Sequence, residues 1–182
     1  MTEGFDRIII DYIYLNLRNP FLDAVMSFFT GIGDNGLIWI FLGAWFFFFL
    51  KDRRTFVSIV VSLVLCLVTV NLTLKPLVKR ERPFVNNLSV ETVVEKPGDY
   101  SFPSGHTASS FAGMTAIWLC TNRRNGLLAL GLCLCISFSR LYFYVHYPTD
   151  VVFGAILGIF VGIAGSRLGA RLKNTPTDLN VK

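Results

Sequence analysis

Residues 55–74 read TFVSIVVSLVLCLVTVNLTL, twenty consecutive positions without a charged side chain. Coiled as an α-helix, a run of this length matches the hydrocarbon thickness of a bilayer. In lipid a helix satisfies all its backbone groups within one segment, so this stretch predicts a membrane-crossing helix. Further uncharged stretches occupy residues 35–50, 100–122, 125–139 and 151–166. The shorter ones must borrow flanking residues, as the fourth does by running on through Tyr142 to Val145. The expected fold class is all-α: a polytopic membrane helical bundle of five transmembrane helices, or six if the N-terminal region also crosses, plus an N-terminal amphipathic segment.

Composition agrees with this. Of 182 residues 53% are hydrophobic and 16% charged, against about 25% charged in soluble proteins, which excludes a disordered segment and argues against an ordinary soluble domain. No linker-like stretch divides the chain, so residues 1–182 are expected to form one membrane-embedded domain. In a soluble protein a net charge of +5 would suggest nucleic acid. Here the cations fall in short clusters between apolar runs, which is membrane topology, and no nucleic-acid partner is expected. Cys66, Cys120, Cys133 and Cys135 all sit inside apolar runs, where cysteine behaves as a small hydrophobe and a metal site is not expected. Charges at Glu3, Asp6, Arg7, Asp11 and Arg18 break up the first residues, so no cleaved leader is expected there.

Residues 1–34 differ from the spans. Phe5, Ile8, Ile9, Tyr12, Ile13 and Leu17 follow helical spacing but are interrupted by charges, the pattern of an interfacial amphipathic helix. Asn19 and Pro20 then read as an N-cap and first-turn proline, opening a second helix that Gly31 and Gly33 end. On the fifth apolar stretch Gly154, Gly158 and Gly162 recur at spacing four, followed by Gly165 and Gly169, which predicts a close-packing face. With five spans, the side receiving residues 51–54, residues 122–125 and the C-terminal tail carries a net charge of +7, and the other side −2. The positive-inside tendency makes the first side cytoplasmic.

The opposite side carries the unusual residues. In order they are Lys75-x6-Arg82-Pro83, then Pro103-Ser104-Gly105-His106, then Ser139-Arg140-x5-His146-x3-Asp150. Three cations that neighbours cannot all neutralise imply an anion of more than one charge, and the planar fork of arginine matches phosphate oxygens. Ser104-Gly105-His106 opens a helix, where free N–H groups and the dipole favour an anion and glycine permits close approach. A carboxylate at Asp150 bonded to one ring nitrogen of His146 would raise the basicity of the other, giving a nucleophile toward phosphorus, with His106 as general acid. Each motif also has a plainer reading: a turn with an N-cap, a structural His/Asp pair, or Lys75 and Arg140 snorkelling to headgroups. Lys79 and Arg80 fit either a second phosphate or a solvated loop offset by Glu81.

Together the three motifs resemble the signature of the type-2 phosphatidic acid phosphatase superfamily of integral membrane lipid phosphatases, matching from Lys75 to Asp150. The resemblance implies that His146 is the nucleophile forming a phosphohistidine, that Asp150 orients it, and that His106 protonates the leaving alcohol and then helps activate water. It implies that Lys75, Arg82, Ser104, Gly105 and Arg140 hold the phosphate, with no metal and no cofactor. Residues 75–103 would form a long active-site loop, and the substrate would come from the bilayer of the plasma membrane to an extracytoplasmic site. A polyprenyl pyrophosphate such as undecaprenyl pyrophosphate leads as substrate. Phosphatidic acid and phosphatidylglycerol phosphate follow, and a lipid phosphotransferase is the alternative activity. Soluble vanadium-dependent haloperoxidases share the signature, but the apolar spans speak against one here, and the intact histidines speak against a binder without catalysis. The oligomeric state is not legible.

Overall fold

The computed structural model describes residues 2–87, 90 and 93–173. Asp178 and Lys182, part of the charge balance above, lie outside the described residues. Every regular element among the described residues is a helix. They are α1 (Thr2–Leu17), α2 (Pro20–Gly33), α3 (Leu37–Phe48), α4 (Arg53–Cys66), α5 (Lys75–Val78), α6 (Gly105–Cys120), α7 (Arg123–Tyr142) and α8 (Pro148–Lys173). A π-helical stretch, Leu67–Leu74, joins α4 to α5, so the helix that begins in residues 55–74 runs on past Lys75. The long loop therefore starts after Val78.

Polar side chains begin several helices by accepting from N–H groups that no earlier carbonyl can reach. Asn19 accepts from Leu22 N, Asp52 from Thr55 N and Asn122 from Asn125 N, each at 3.0 Å. The second helix ends at Gly33 as its glycines predicted. Asn35 and Gly36 then adopt φ of 51° and 70°, the left-handed region that glycine tolerates, and break the path between α2 and α3.

Among the described residues four helical segments are long and apolar enough to cross a membrane: Pro20–Phe48, Arg53–Val85, Arg123–Tyr142 and Pro148–Arg171. The protein is an integral membrane protein. The segment Pro20–Phe48 joins α2 to α3, although the sequence placed α2 with the interfacial region. The remaining apolar stretch becomes α6, with 16 residues. It lies at the centre, packed against α8, α7 and α4, where protein rather than lipid covers it.

The glycine face of α8 explains how closely these helices meet. A Cβ at Gly154 would stand 2.8 Å from the Ser104 carbonyl oxygen, and one at Gly158 would overlap the Ala108 carbonyl. Gly165 and Gly169 meet α4 instead, at Ser62 and Ser58. The stripe thus changes partner along its length, which lets α8 hold α6 and α4 in one layer. On the far side of α6, Trp39 is fully buried and its indole N–H donates to Ser110 Oγ at 3.2 Å.

The N-terminal helix is not a free interfacial strip. Ile10 and Ile13 are buried against Tyr142, Phe143, Tyr144 and Val145, while Phe5, Ile8 and Tyr12 face outward. The expected apolar stripe is split between two faces. Asp6 lies inside rather than at the water line because it is fully paired there.

Candidate active site

Lys75, Arg82, Gly105, His106, Arg140 and His146 line one cavity of ≈ 450 Å³. Lys75 arrives at the end of the π-helical stretch, Arg82 from the loop that follows, Gly105 and His106 from the first turn of α6, and Arg140 from the last turn of α7. Three separate sequence motifs thus converge on one space.

His146 is fully buried between α7 and α8. Its Nε2 lies 3.2 Å from Arg82 Nη1, which also donates to the Val145 carbonyl at 2.8 Å. Facing a guanidinium, Nε2 must be the unprotonated acceptor, and so carries the lone pair a nucleophile needs. Burial first, and then the charges of Arg82, Arg140 and Lys75, push the His146 pKa well below the ordinary imidazole value. On the other side of the ring, Nδ1 lies 3.5 Å from Asp150 Oδ2, longer than a tight hydrogen bond. Ser101 stands between them: its hydroxyl donates to Asp150 Oδ2 at 2.5 Å and lies 3.4 Å from His146 Nδ1. The backbone N–H of Tyr147 donates to the same carboxylate oxygen at 2.9 Å.

The phosphate cradle differs from expectation in three respects. Lys75 and Arg82 have a shared counter-ion, Asp99, which pairs with Lys75 Nζ through Oδ2 and with Arg82 Nη2 through Oδ1. Although burial works in the opposite direction, these cations hold the Asp99 carboxyl down to about 2. One carboxylate thus occupies two of the three cations, and the cradle stays net positive. Arg140 donates to Thr30 Oγ1, yet its Nε is buried with no hydrogen-bond partner among the described residues. Ser104, expected to touch phosphate, is fully buried away from the cavity wall, and its hydroxyl caps α6 by accepting from the Thr107 hydroxyl at 3.0 Å and from Thr107 N at 3.4 Å. The reading of Arg80 as a contact for a second phosphate, or as a solvated loop charge, is also corrected. It forms ion pairs with Asp6 at 2.8 Å and Asp150 at 2.6 Å, because two buried carboxylates need a compensating cation.

His106 has a carboxylate of its own. Its Nε2–H donates to Asp34 Oδ1 at 2.6 Å, and Asp34 reaches it because the chain breaks between α2 and α3. Sequence reasoning passed over Asp6, Asp34, Asp99 and Ser101. Asp6 left a signal, a charge inside an apolar stripe. The other three are polar residues of turns, and nothing local marks them. Among the described residues no three His, Cys, Asp or Glu side chains group so as to hold a metal ion.

The same cavity is also lined by apolar side chains, Ile40, Leu63, Val64 and Leu67 among them. Ile40, Val64 and Leu67 are also largely exposed on the outer surface of the bundle. The lining therefore combines buried cations and two histidines with apolar side chains that are also partly exposed on the surface of the bundle.

Comparison with known proteins places the chain in a family. The pattern of the PAP2 superfamily matches residues 55–173. The chain is 30% identical over 141 residues to an undecaprenyl-diphosphatase from Sulfolobus acidocaldarius, covering 77% of this chain and 67% of that one. It is 31% identical over 176 residues to a lipid A 4'-phosphatase from Bacteroides thetaiotaomicron, covering 87% and 76%. The crystal structure of Aquifex aeolicus LpxE superposes with a TM-score of 0.71 at 27% identity, over 91% of this chain and 94% of that one.

Proposed function

We propose, from the premise that the chain belongs to the PAP2 superfamily and is a lipid phosphatase, that it hydrolyses a lipid-linked phosphate through a phosphohistidine on His146. The observation that carries this reading is the cavity, whose lining brings cations and apolar side chains together as an amphiphile requires. The lipid tail lies along Ile40, Val64 and Leu67 while the phosphate meets Lys75, Arg82, Arg140 and the first N–H groups of α6.

The geometry supports an in-line transfer. His146 Nε2 attacks phosphorus, the bond from phosphorus to the lipid oxygen breaks, and His106 gives that oxygen its proton. Water, activated by the same His106, then attacks the phosphohistidine, releasing inorganic phosphate and freeing Nε2. The fixed cations stabilise the charge that builds on the equatorial oxygens, without reorganising as it builds. Asp150 holds the imidazole and stabilises its charge while phosphorylated.

A polyprenyl pyrophosphate such as undecaprenyl pyrophosphate is the leading substrate, supported by the relative of that activity. A phosphate monoester, such as phosphatidic acid or phosphatidylglycerol phosphate, is favoured by one observation: Arg80, once available to a second phosphate, is consumed by Asp6 and Asp150. The charge asymmetry of the loops supports an outward-facing site in the plasma membrane. Purified protein in detergent, assayed for phosphate release across a panel of lipid phosphates and pyrophosphates, tests the reading. His146→Ala should abolish release from every one of them. Turnover close to wild type in that variant would overturn the mechanism.

A further inference from the structure

The N-terminal helix brings a charge to the back of the site that the chemistry above does not use. Asp6 on α1 is fully buried, which is tolerable only for a carboxylate that is paired and hydrogen-bonded. Its Oδ1 accepts from the Thr149 N–H at 3.0 Å, and its Oδ2 from the Thr149 hydroxyl at 2.6 Å and from Arg80 Nη2 at 2.8 Å. Arg80 Nη1 donates to Asp150 Oδ1 at 2.6 Å and to Thr149 Oγ1 at 2.7 Å. The guanidinium lies over the Tyr147 ring, 4.0 Å from its centroid. The fork is thus gripped by a carboxylate on each arm and an aromatic face, and among the described residues it is not part of the cavity wall.

We propose that Arg80, locked by Asp6, is a positioning residue that sets the rotation of Asp150 and thereby the aim of His146. A carboxylate turns about its last bond, and Asp150 has several donors competing for two oxygens. With Oδ1 tied to Arg80, Oδ2 is left to Ser101, Tyr147 N and the Nδ1 side of His146. A lysine could not do the same, since only the planar fork bridges two carboxylates at once with defined directions. The first helix is therefore part of the catalytic apparatus, acting through Asp6, Arg80 and Asp150 in turn. The inference rests on His146 being the nucleophile.

The test compares Arg80→Gln, Arg80→Lys and Asp6→Asn with wild type in detergent, on whichever lipid phosphate the panel shows to be turned over fastest. For a group that aims a catalytic residue, Arg80→Gln should lower kcat about 10- to 100-fold. KM should stay within about threefold, because binding contacts are untouched. Arg80→Lys should recover part of the loss, and Asp6→Asn should lower kcat less than Arg80→Gln while sharing its unchanged KM. Thermal melting of each variant accompanies the kinetics, and if Arg80→Gln does not fold, the other two carry the same split between kcat and KM. A raised KM with kcat preserved would put Arg80 on the substrate and overturn the proposal. So would kcat at the wild-type level in all folded variants. A wild-type enzyme that turns over no lipid phosphate removes the phosphatase reading and this inference together; an active wild type with unaffected variants removes this inference alone.

Discussion

Asp99 sits where an anion belongs. Its carboxylate spans Lys75 and Arg82, two of the cations that line the cavity, so a phosphate entering the cradle must displace it. The perturbation is Asp99→Asn, which keeps the size and removes the charge. Lys75 and Arg82 side chains are only 8% and 4% exposed, but Asp99 is 51% exposed. Water around the carboxylate screens the pairs, and their combined worth falls near that of exposed ion pairs, about 1 kcal/mol. Removing that competitor should tighten inorganic phosphate, measured as a product inhibitor, by about fivefold. Because Asp99 is held down to about 2, it is ionised at any ordinary assay pH. The contact is complete above the carboxyl's usual value and fades only as pH falls toward 2, so the fivefold factor should be flat between about pH 5 and pH 8. Inhibition constants for phosphate in the two proteins decide the matter. An unchanged or weaker inhibition in Asp99→Asn would show that the carboxylate orders Lys75 and Arg82 for substrate rather than competing with it.

Other consequences are equally open to measurement. Gly158→Ala should destabilise the bundle by about 1–3 kcal/mol, since the added methyl overlaps the Ala108 carbonyl; Gly131→Ala, with nothing within 4 Å, is the matched control in thermal melts. Asp34→Asn, which weakens the hold on His106, should lower kcat about tenfold on lipid substrates. On a nitrophenyl phosphate, whose leaving oxygen needs no proton, the burst that reports the first step should lose little, while the later hydrolysis, which uses the same His106, still slows. The His146 pKa is depressed in the fold, so the unfolded chain binds its proton first; stability should fall as pH drops below the ordinary imidazole value, and His146→Asn should flatten that slope in denaturation experiments.

How much of this was legible beforehand depends on the range of the interaction. Hydrophobic runs, the Asn19 cap, the helix end at Gly33 and the glycine stripe of α8 are local or periodic features, and the helices follow them closely. The motif residues Lys75, Arg82, Gly105, His106, Arg140 and His146 could be picked out from residue type and spacing, and they line one cavity. Ser104 illustrates the limit: a serine at a helix start is equally an anion ligand or a cap, and only packing decides. Arg80 illustrates it more strongly. Its partners lie 74 residues before it and 70 after it, and no spacing rule connects such positions.

From the amino-acid order alone follow an all-helical bundle in lipid and the chemistry of its motifs, because burial of apolar runs and helix capping act over a few residues. Tertiary structure alone decided which charges neutralise one another. Asp99 took Lys75 and Arg82, Asp6 and Asp150 shared Arg80, and Asp34 took His106. The physical reason is that a buried charge binds whatever opposite charge the fold carries to it, and in a helical bundle that partner comes from a different helix or loop, far away along the chain.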